Sequence, residues 1–223
     1  MHTLRILPLS LTLAVALTLG VSTSASASTQ VALWNMGDTG TTMTDASGHG
    51  HNGHMTNVAV SQPGYAGNGF GFLSSPSYVT VPSATDLNPG TSAFGVTLHV
   101  RYSIRPSSAV GDYDLLRKGL STTSGGSYKV ELLGGGNAFC NFRGSSGSGS
   151  VSSASNLADN AWHTITCART STSVRLTVDG RTYSKTVTTG SLSNTSAVYV
   201  GAKSGAGDNQ YKGLMDLVSV SKG

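Results

Sequence analysis

Phe94-Gly95-Val96-Thr97-Leu98-His99-Val100-Arg101-Tyr102 reads as a strand whose two faces differ in kind. Phe94, Val96, Leu98, Val100 and Tyr102 share one side, while Thr97, His99 and Arg101 share the other. A period of two with this polarity marks a strand that has one face in a core and one toward water. The pattern recurs in both directions from here. Toward the N-terminus lie Tyr78–Pro82, Gly69–Phe72 and a first strand over Val31–Met36. Toward the C-terminus follow Tyr113–Leu116, Tyr128–Leu133, Ala138–Arg143, Trp162–Arg169, Val174–Val178, Thr182–Val187, Ala197–Val200 and Leu214–Val220. Glycine and serine interrupt every candidate helical stripe. Asp179-Gly180 between two apolar runs is a hairpin signal, and Gly134–Asn137 joins another pair. Many short antiparallel strands without crossover helices predict an all-β sandwich or barrel. Gly144–Ser155, low in complexity, reads as a flexible loop tip.

The chain of 223 residues opens on MHTLR, an apolar run and Ala25-Ser26-Ala27. A charged start, an apolar stretch and a small-residue site predict a signal peptide over residues 1–27, hence a secreted, extracellular protein. Roughly 196 residues remain (28–223), enough for one all-β domain. Net charge is +4, with basic residues scattered rather than clustered, which argues against a nucleic-acid partner. A mildly basic protein suits an acidic partner such as an anionic cell-wall polymer.

Trp34–Gly53, WNMGDTGTTMTDASGHGHNG, is a polar, glycine-rich loop following the first strand. Two readings fit it. In one, Asp45 and Asn52 cap their own backbone as an Asx-turn loop; in the other, inward carbonyls and Asp45 hold calcium, which takes ~6–8 oxygen ligands. His49, His51 and His54 lack the spacing of a zinc site. Cys140 and Cys167 are the only cysteines, and each falls within a strand pattern. Export favours a disulfide between them, adding about 3–4 kcal/mol by loop closure; two buried free thiols are the alternative.

Taken in order, these motifs resemble a known family. They are the opening Trp34 strand, the Asp45-x-Ser47-Gly48-x-Gly50-x-Asn52-Gly53 loop, Tyr78-Val79-x-Val81-Pro82, Trp162-His163-Thr164, Val178-Asp179-Gly180 and Gly213-Leu214-Met215-Asp216. The chain resembles the laminin G-like, concanavalin A-like jelly-roll domains of secreted bacterial proteins, from about Val31 to the C-terminus. The resemblance implies a two-sheet antiparallel sandwich with first and last strands side by side. It also implies a structural calcium ion held by Asp45, Gly50, Asn52 and Asp216. Asp38 falls one residue beyond the acidic slot of the pattern, which Gly37 occupies.

One such sandwich hosts lectins, adhesion modules and glycosidases, so the site must decide function. Glycoside hydrolysis needs two facing carboxylates. The chain has one glutamate, Glu131, with Leu133 where a second acid would stand. Asp112 and Asp114 have i, i+2 spacing but read equally as a turn paired with Arg117 or Lys118. The sequence therefore points away from an enzyme and toward a carbohydrate- or matrix-binding module. Its candidate ligand-binding residues are His99, Arg101, Tyr113, Tyr128, Lys129, Asn141 and Arg143, while Trp34 and Trp162 read as core. A structural or protein-interaction domain of the cell envelope is the alternative, and a divergent glycosidase the third.

Overall fold

The computed structural model describes residues 28–223; the signal peptide expected over 1–27 lies outside the described residues. Within them, the chain forms strands β1 (Thr29–Trp34), β2 (Thr42–Met43), β3 (Gly53–Thr56), β4 (Ala59–Pro63), β5 (Asn68–Phe72) and β6 (Tyr78–Val81). It continues with β7 (Phe94–Arg101), β8 (Asp112–Lys118), β9 (Ser127–Leu133), β10 (Ala138–Gly144) and β11 (Gly147–Ser152). Last come β12 (Trp162–Arg169), β13 (Ser173–Val178), β14 (Arg181–Thr186), β15 (Val198–Val200) and β16 (Gly213–Lys222).

These strands make two eight-stranded sheets. The first runs β14-β13-β12-β7-β16-β5-β4, with β1 also on β16; the second runs β11-β10-β9-β8-β15-β6-β3-β2. All named strand pairs are antiparallel. The fold is the antiparallel two-sheet sandwich expected.

First and last strands do lie side by side, Trp34 opposite Val218. β16 is shared along its length: Gly213–Met215 pairs with β5 and Val218–Lys222 with β1. The handover is a bulge after Asp216, where Leu217 takes φ 46° and the register against β7 shifts. A bulge lets one strand bend from one partner to the next. Asp216 holds it, accepting the Leu217 N–H at 2.8 Å and the Ala66 N–H at 2.9 Å from the β4–β5 turn. A Cβ at Gly64 would stand 2.7 Å from the Asp216 carboxylate, so only glycine lets that turn close over it.

The core fills the space between the sheets. β7 buries every second side chain, as its alternation requires. Trp34, Phe70, Phe72 and Phe94 meet Tyr113, Tyr128 and Phe142 from the opposite sheet. Buried tyrosine hydroxyls find carbonyls: Tyr128 reaches Leu87 at 3.1 Å and Tyr102 reaches Gly136 at 2.6 Å. Cys140 of β10 and Cys167 of β12 form a disulfide across this core, joining the two sheets (Cα–Cα 5.3 Å).

Some details depart from the sequence reading. Gly144–Ser155 is no loose tip: β11 pairs with β10 over six residue pairs, from Phe139↔Ser152 to Gly144↔Gly147. Alternating serines and glycines form that strand because β10 supplies its hydrogen bonds. Trp162 is half-buried on the outer face of the first sheet, opposite Arg101, rather than in the core.

Candidate functional site

The outer face of the second sheet carries the densest set of polar side chains. Antiparallel partners share a face, so the register fixes the pattern. One row crosses four strands as Arg117, Lys129, Asn141 and Ser150; the next holds Asp114, Glu131, Phe139 and Ser152. β8 reaches this arrangement through a bulge between Asp114 and Leu116. Strict alternation would put Asp114 and Arg117 on opposite sides. The extra residue brings both outward and turns Tyr113, Leu116 and Lys118 inward.

Arg117 ties the rows together. Its Nε donates to Asp114 at 2.6 Å and its terminal nitrogen to Glu131 at 2.5 Å. Lys129 donates to the same Glu131 oxygen at 2.5 Å and lies 5.3 Å above the Phe139 ring. Asp114 and Glu131 are 0% and 1% exposed. Burial drives the Asp114 carboxyl up to about 7 despite Arg117, whose own pKa the two carboxylates raise against the opposing pull of burial. Asp112, Asp114 and Glu131 bring ligand atoms within 4.8 Å of one another, the one such acidic group among the described residues. Arg117 engages both Asp114 oxygens, Arg117 and Lys129 share Glu131 Oε1, and Asn209 donates to Asp112 Oδ1, which makes the group an ion-pair network.

Above the network lies a cleft of about 460 Å³, with Lys129, Phe139, Asn141, Arg143, Lys203 and Asn209 among its walls. Asn141 is held by Ser148 and Gly149 at 3.0 Å each, and Arg143 by the Leu120 and Thr123 carbonyls. A second cleft of about 340 Å³ shares Arg117, Leu120 and Lys203 with the first and extends to Tyr199. The surface thus offers ammonium, guanidinium and amide donors beside an aromatic ring, with several of them fixed before any ligand arrives.

The seven candidate ligand residues do not converge. Lys129, Asn141 and Arg143 share this cleft. His99 and Arg101 lie on the outer face of the first sheet, across the sandwich. Tyr113 and Tyr128 point into the core, 2% and 1% exposed, and are corrected to core residues. Their neighbours show why: Tyr113 pairs with Leu132 and Tyr128 with Phe142, both inward. Phe139, Arg117, Lys203 and Asn209 were missed. Phe139 was legible as the residue two before Asn141; Lys203 and Asn209 reach the cleft from the β15–β16 connection, which carries no strand pattern.

The Trp34–Gly53 loop is braced from within. Asp45 Oδ1 accepts the Leu33 and Ser47 N–H groups, and Oδ2 accepts the Ser47 hydroxyl and His51 N–H, all at 2.9 Å. Burial raises the Asp45 pKa, but these hydrogen bonds outweigh it and hold the carboxyl below its usual value. Asn52 Oδ1 takes the Asp45 N–H at 2.8 Å, and Trp34 Nε1 donates to the His51 carbonyl at 2.7 Å. Gly50 takes φ 78° in the turn between them. Four donors saturate a carboxylate. Asp216 spends its oxygens on Ala66 and Leu217, and the two acids share no partner. The donor set at Asp45, Gly50, Asn52 and Asp216 does not fit a shared calcium ion. Asp38 braces Thr44, and His51 pairs with Asp86 at 2.8 Å while its ring stacks on that of His49 with centroids 6.2 Å apart.

Residues 73–223 match the model of a laminin G type family described as the concanavalin A-like lectin/glucanases superfamily. The chain belongs to the concanavalin A-like superfamily. Solved structures of similar shape include the binding domain of Paraclostridial Mosquitocidal Protein 1 (TM-score 0.68, 18% identity), with 86% of this chain and 48% of that one covered. Domain 4 of AbnA, an extracellular arabinanase from Geobacillus stearothermophilus, in complex with arabinotriose, gives TM-score 0.67 at 16% identity, covering 88% and 93%. Mouse laminin alpha1 domains LG4-5 give 0.50 at 16% identity, covering 63% and 38%. The chain spans about half the length of the first of these. At such identities the likeness establishes the concanavalin A-like fold alone. A search of curated proteins finds no match.

Proposed function

We propose that the mature chain is a secreted carbohydrate-binding module without catalytic activity, its ligand lying across the outer face of the second sheet. The observation that carries this reading is the cleft in which Lys129, Asn141 and Arg143 surround Phe139 over a buried ion-pair network. Sugars present hydroxyls for such donors and C–H faces for an aromatic ring. Pre-positioned groups lower the ordering cost of binding. The same network argues against hydrolysis, because Asp114 and Glu131 are both engaged and covered. Domain 4 of AbnA, solved with arabinotriose, supports a saccharide as ligand class. An extracellular or cell-wall polymer is the partner this reading implies.

Pull-down on insoluble arabinan and calorimetry with arabino-oligosaccharides test it. Binding to at least one neutral polysaccharide of a panel, reduced about tenfold or more in Asn141→Ala and Lys129→Ala, is the expected result. Binding unaltered in both variants removes the cleft as the site, and reducing-sugar release by the wild type removes the non-catalytic reading. Sequencing of exported protein beginning at Ser28 checks the processing site.

A further inference from the structure

The outer face of the first sheet holds a separate cleft of about 470 Å³, lined by Leu73, Ile104, Leu214, Arg101, Asn160 and Lys212 among others. Its volume falls in the small-ligand range of ~300–1,000 Å³. Four large hydrophobic side chains are exposed among the described residues: Tyr65 (51%), Leu73 (61%), Ile104 (64%) and Leu120 (40%). Two of the four, Leu73 and Ile104, line this cleft. Pro63, two residues before Tyr65, is part of the wall. Tyr65 stacks on His99 with centroids 4.0 Å apart and meets Trp162, the register partner of Arg101, edge-on at 6.1 Å. Apolar side chains gathered at one exposed place mark a binding surface more often than scattered ones do.

Charge narrows the ligand. Arg101 and Lys212 line the cleft, and no carboxylate does. Arg101 spends only Nε, donating to the Asn160 carbonyl at 2.9 Å and to its side-chain oxygen at 3.2 Å. Neither cation enters an ion pair among the described residues. The acid beside Asn160, Asp159, is turned to His163 at 2.9 Å. Terminal guanidinium nitrogens free of a partner suit a carboxylate, which they grip in pairs. Leu73 and Ile104, exposed on the wall, suit the C–H face of a sugar ring. We infer that this cleft is a second binding site, for a saccharide that bears a carboxylate, with Arg101 and Lys212 taking the acid group and Leu73 and Ile104 the ring.

Tri-galacturonate is the probe, titrated calorimetrically against the described chain, with galactotriose as its neutral counterpart. Tri-galacturonate should bind at least about tenfold more tightly than galactotriose, and its Kd should rise with salt. Lys212→Gln, on an exposed side chain, and Arg101→Gln should each weaken it at least about tenfold. Asn141→Ala on the opposite sheet should leave it unchanged, which separates this site from the neutral-sugar cleft. No binding of tri-galacturonate, equal binding of the neutral sugar, or wild-type affinity in folded Lys212→Gln and Arg101→Gln would each overturn the proposal. So would a concentration-dependent dimer broken by Ile104→Ser, since the apolar rim would then face a second copy.

Discussion

Arg117 donates to Asp114 through Nε at 2.6 Å while both side chains are almost wholly buried beneath an outward-facing sheet surface. The guanidinium also reaches Glu131, which Lys129 caps as well, so two cations face two carboxylates in a place water hardly enters. Removing Arg117 leaves Asp114 without a cationic partner and Glu131 with Lys129 alone. Arg117→Met should cost about 3–5 kcal/mol in urea unfolding, the range for breaking a buried pair. A cost near zero would mean that the carboxylates relax to solvent.

Asp114 sets a pH dependence of definite sign. Burial lifts its folded pKa to about 7 from 3.8, so the native state binds more protons in that interval. The contribution is complete below 3.8 and is lost as pH rises through about 7. Urea unfolding between pH 4 and pH 8 should show stability falling over this window, and Asp114→Asn should flatten that part of the curve.

His163 acts in the same direction for another reason. Burial alone would lower its pKa, but hydrogen bonds to Asp179 at 2.7 Å and Asp159 at 2.9 Å raise it above 6.5. Its stabilisation is present below 6.5 and fades as pH climbs past the raised value. NMR titration of the imidazole should give a midpoint above 6.5, returning toward 6.5 when Asp179 becomes Asn.

Asp45 works the other way, its carboxyl held low by the loop's donors, so its contribution persists above 3.8 and is lost as acid protonates it below that value. Asp45→Ala should destabilise the chain by about 2 kcal/mol, the scale of hydrogen bonds to a charged group. Because those donors saturate the carboxylate, EDTA should leave Tm unchanged. A fall in Tm restored by calcium would show that an ion, not the loop's own N–H groups, orders this segment.

The disulfide closes a sequence separation of 27 residues between opposite sheets. Loop closure predicts a loss of about 3.5 kcal/mol for the Cys140→Ala, Cys167→Ala double variant. Thermal unfolding with and without reductant measures the same quantity on the native chain.

The legible part of this protein was local. Alternation in Phe94–Tyr102 named the buried face of β7 residue by residue, and Asp179-Gly180 placed the β13–β14 turn. The pairing of the first and last strands came from the family resemblance. Tyr113 and Tyr128 were placed at the ligand surface although they point into the core, and alternation does not foresee the bulge after Asp114 that brings Arg117 to the outer face. Gly144–Ser155 was misread because its strand owes its order to a neighbour rather than to its own composition.

By itself the sequence determined that the chain builds a sandwich or barrel of short strands around an apolar interior, because period-two patterning records which side chains water rejects. Only the tertiary structure decided which sheet each strand joins, and with it which polar residues meet. His99 and Arg101 look across one sheet while Lys129, Asn141 and Arg143 look out from the other. Asp45 and Asp216 brace different loops. Strand order and bulges come from long-range pairing, which local alternation does not encode, and the ligand-facing surfaces follow from them.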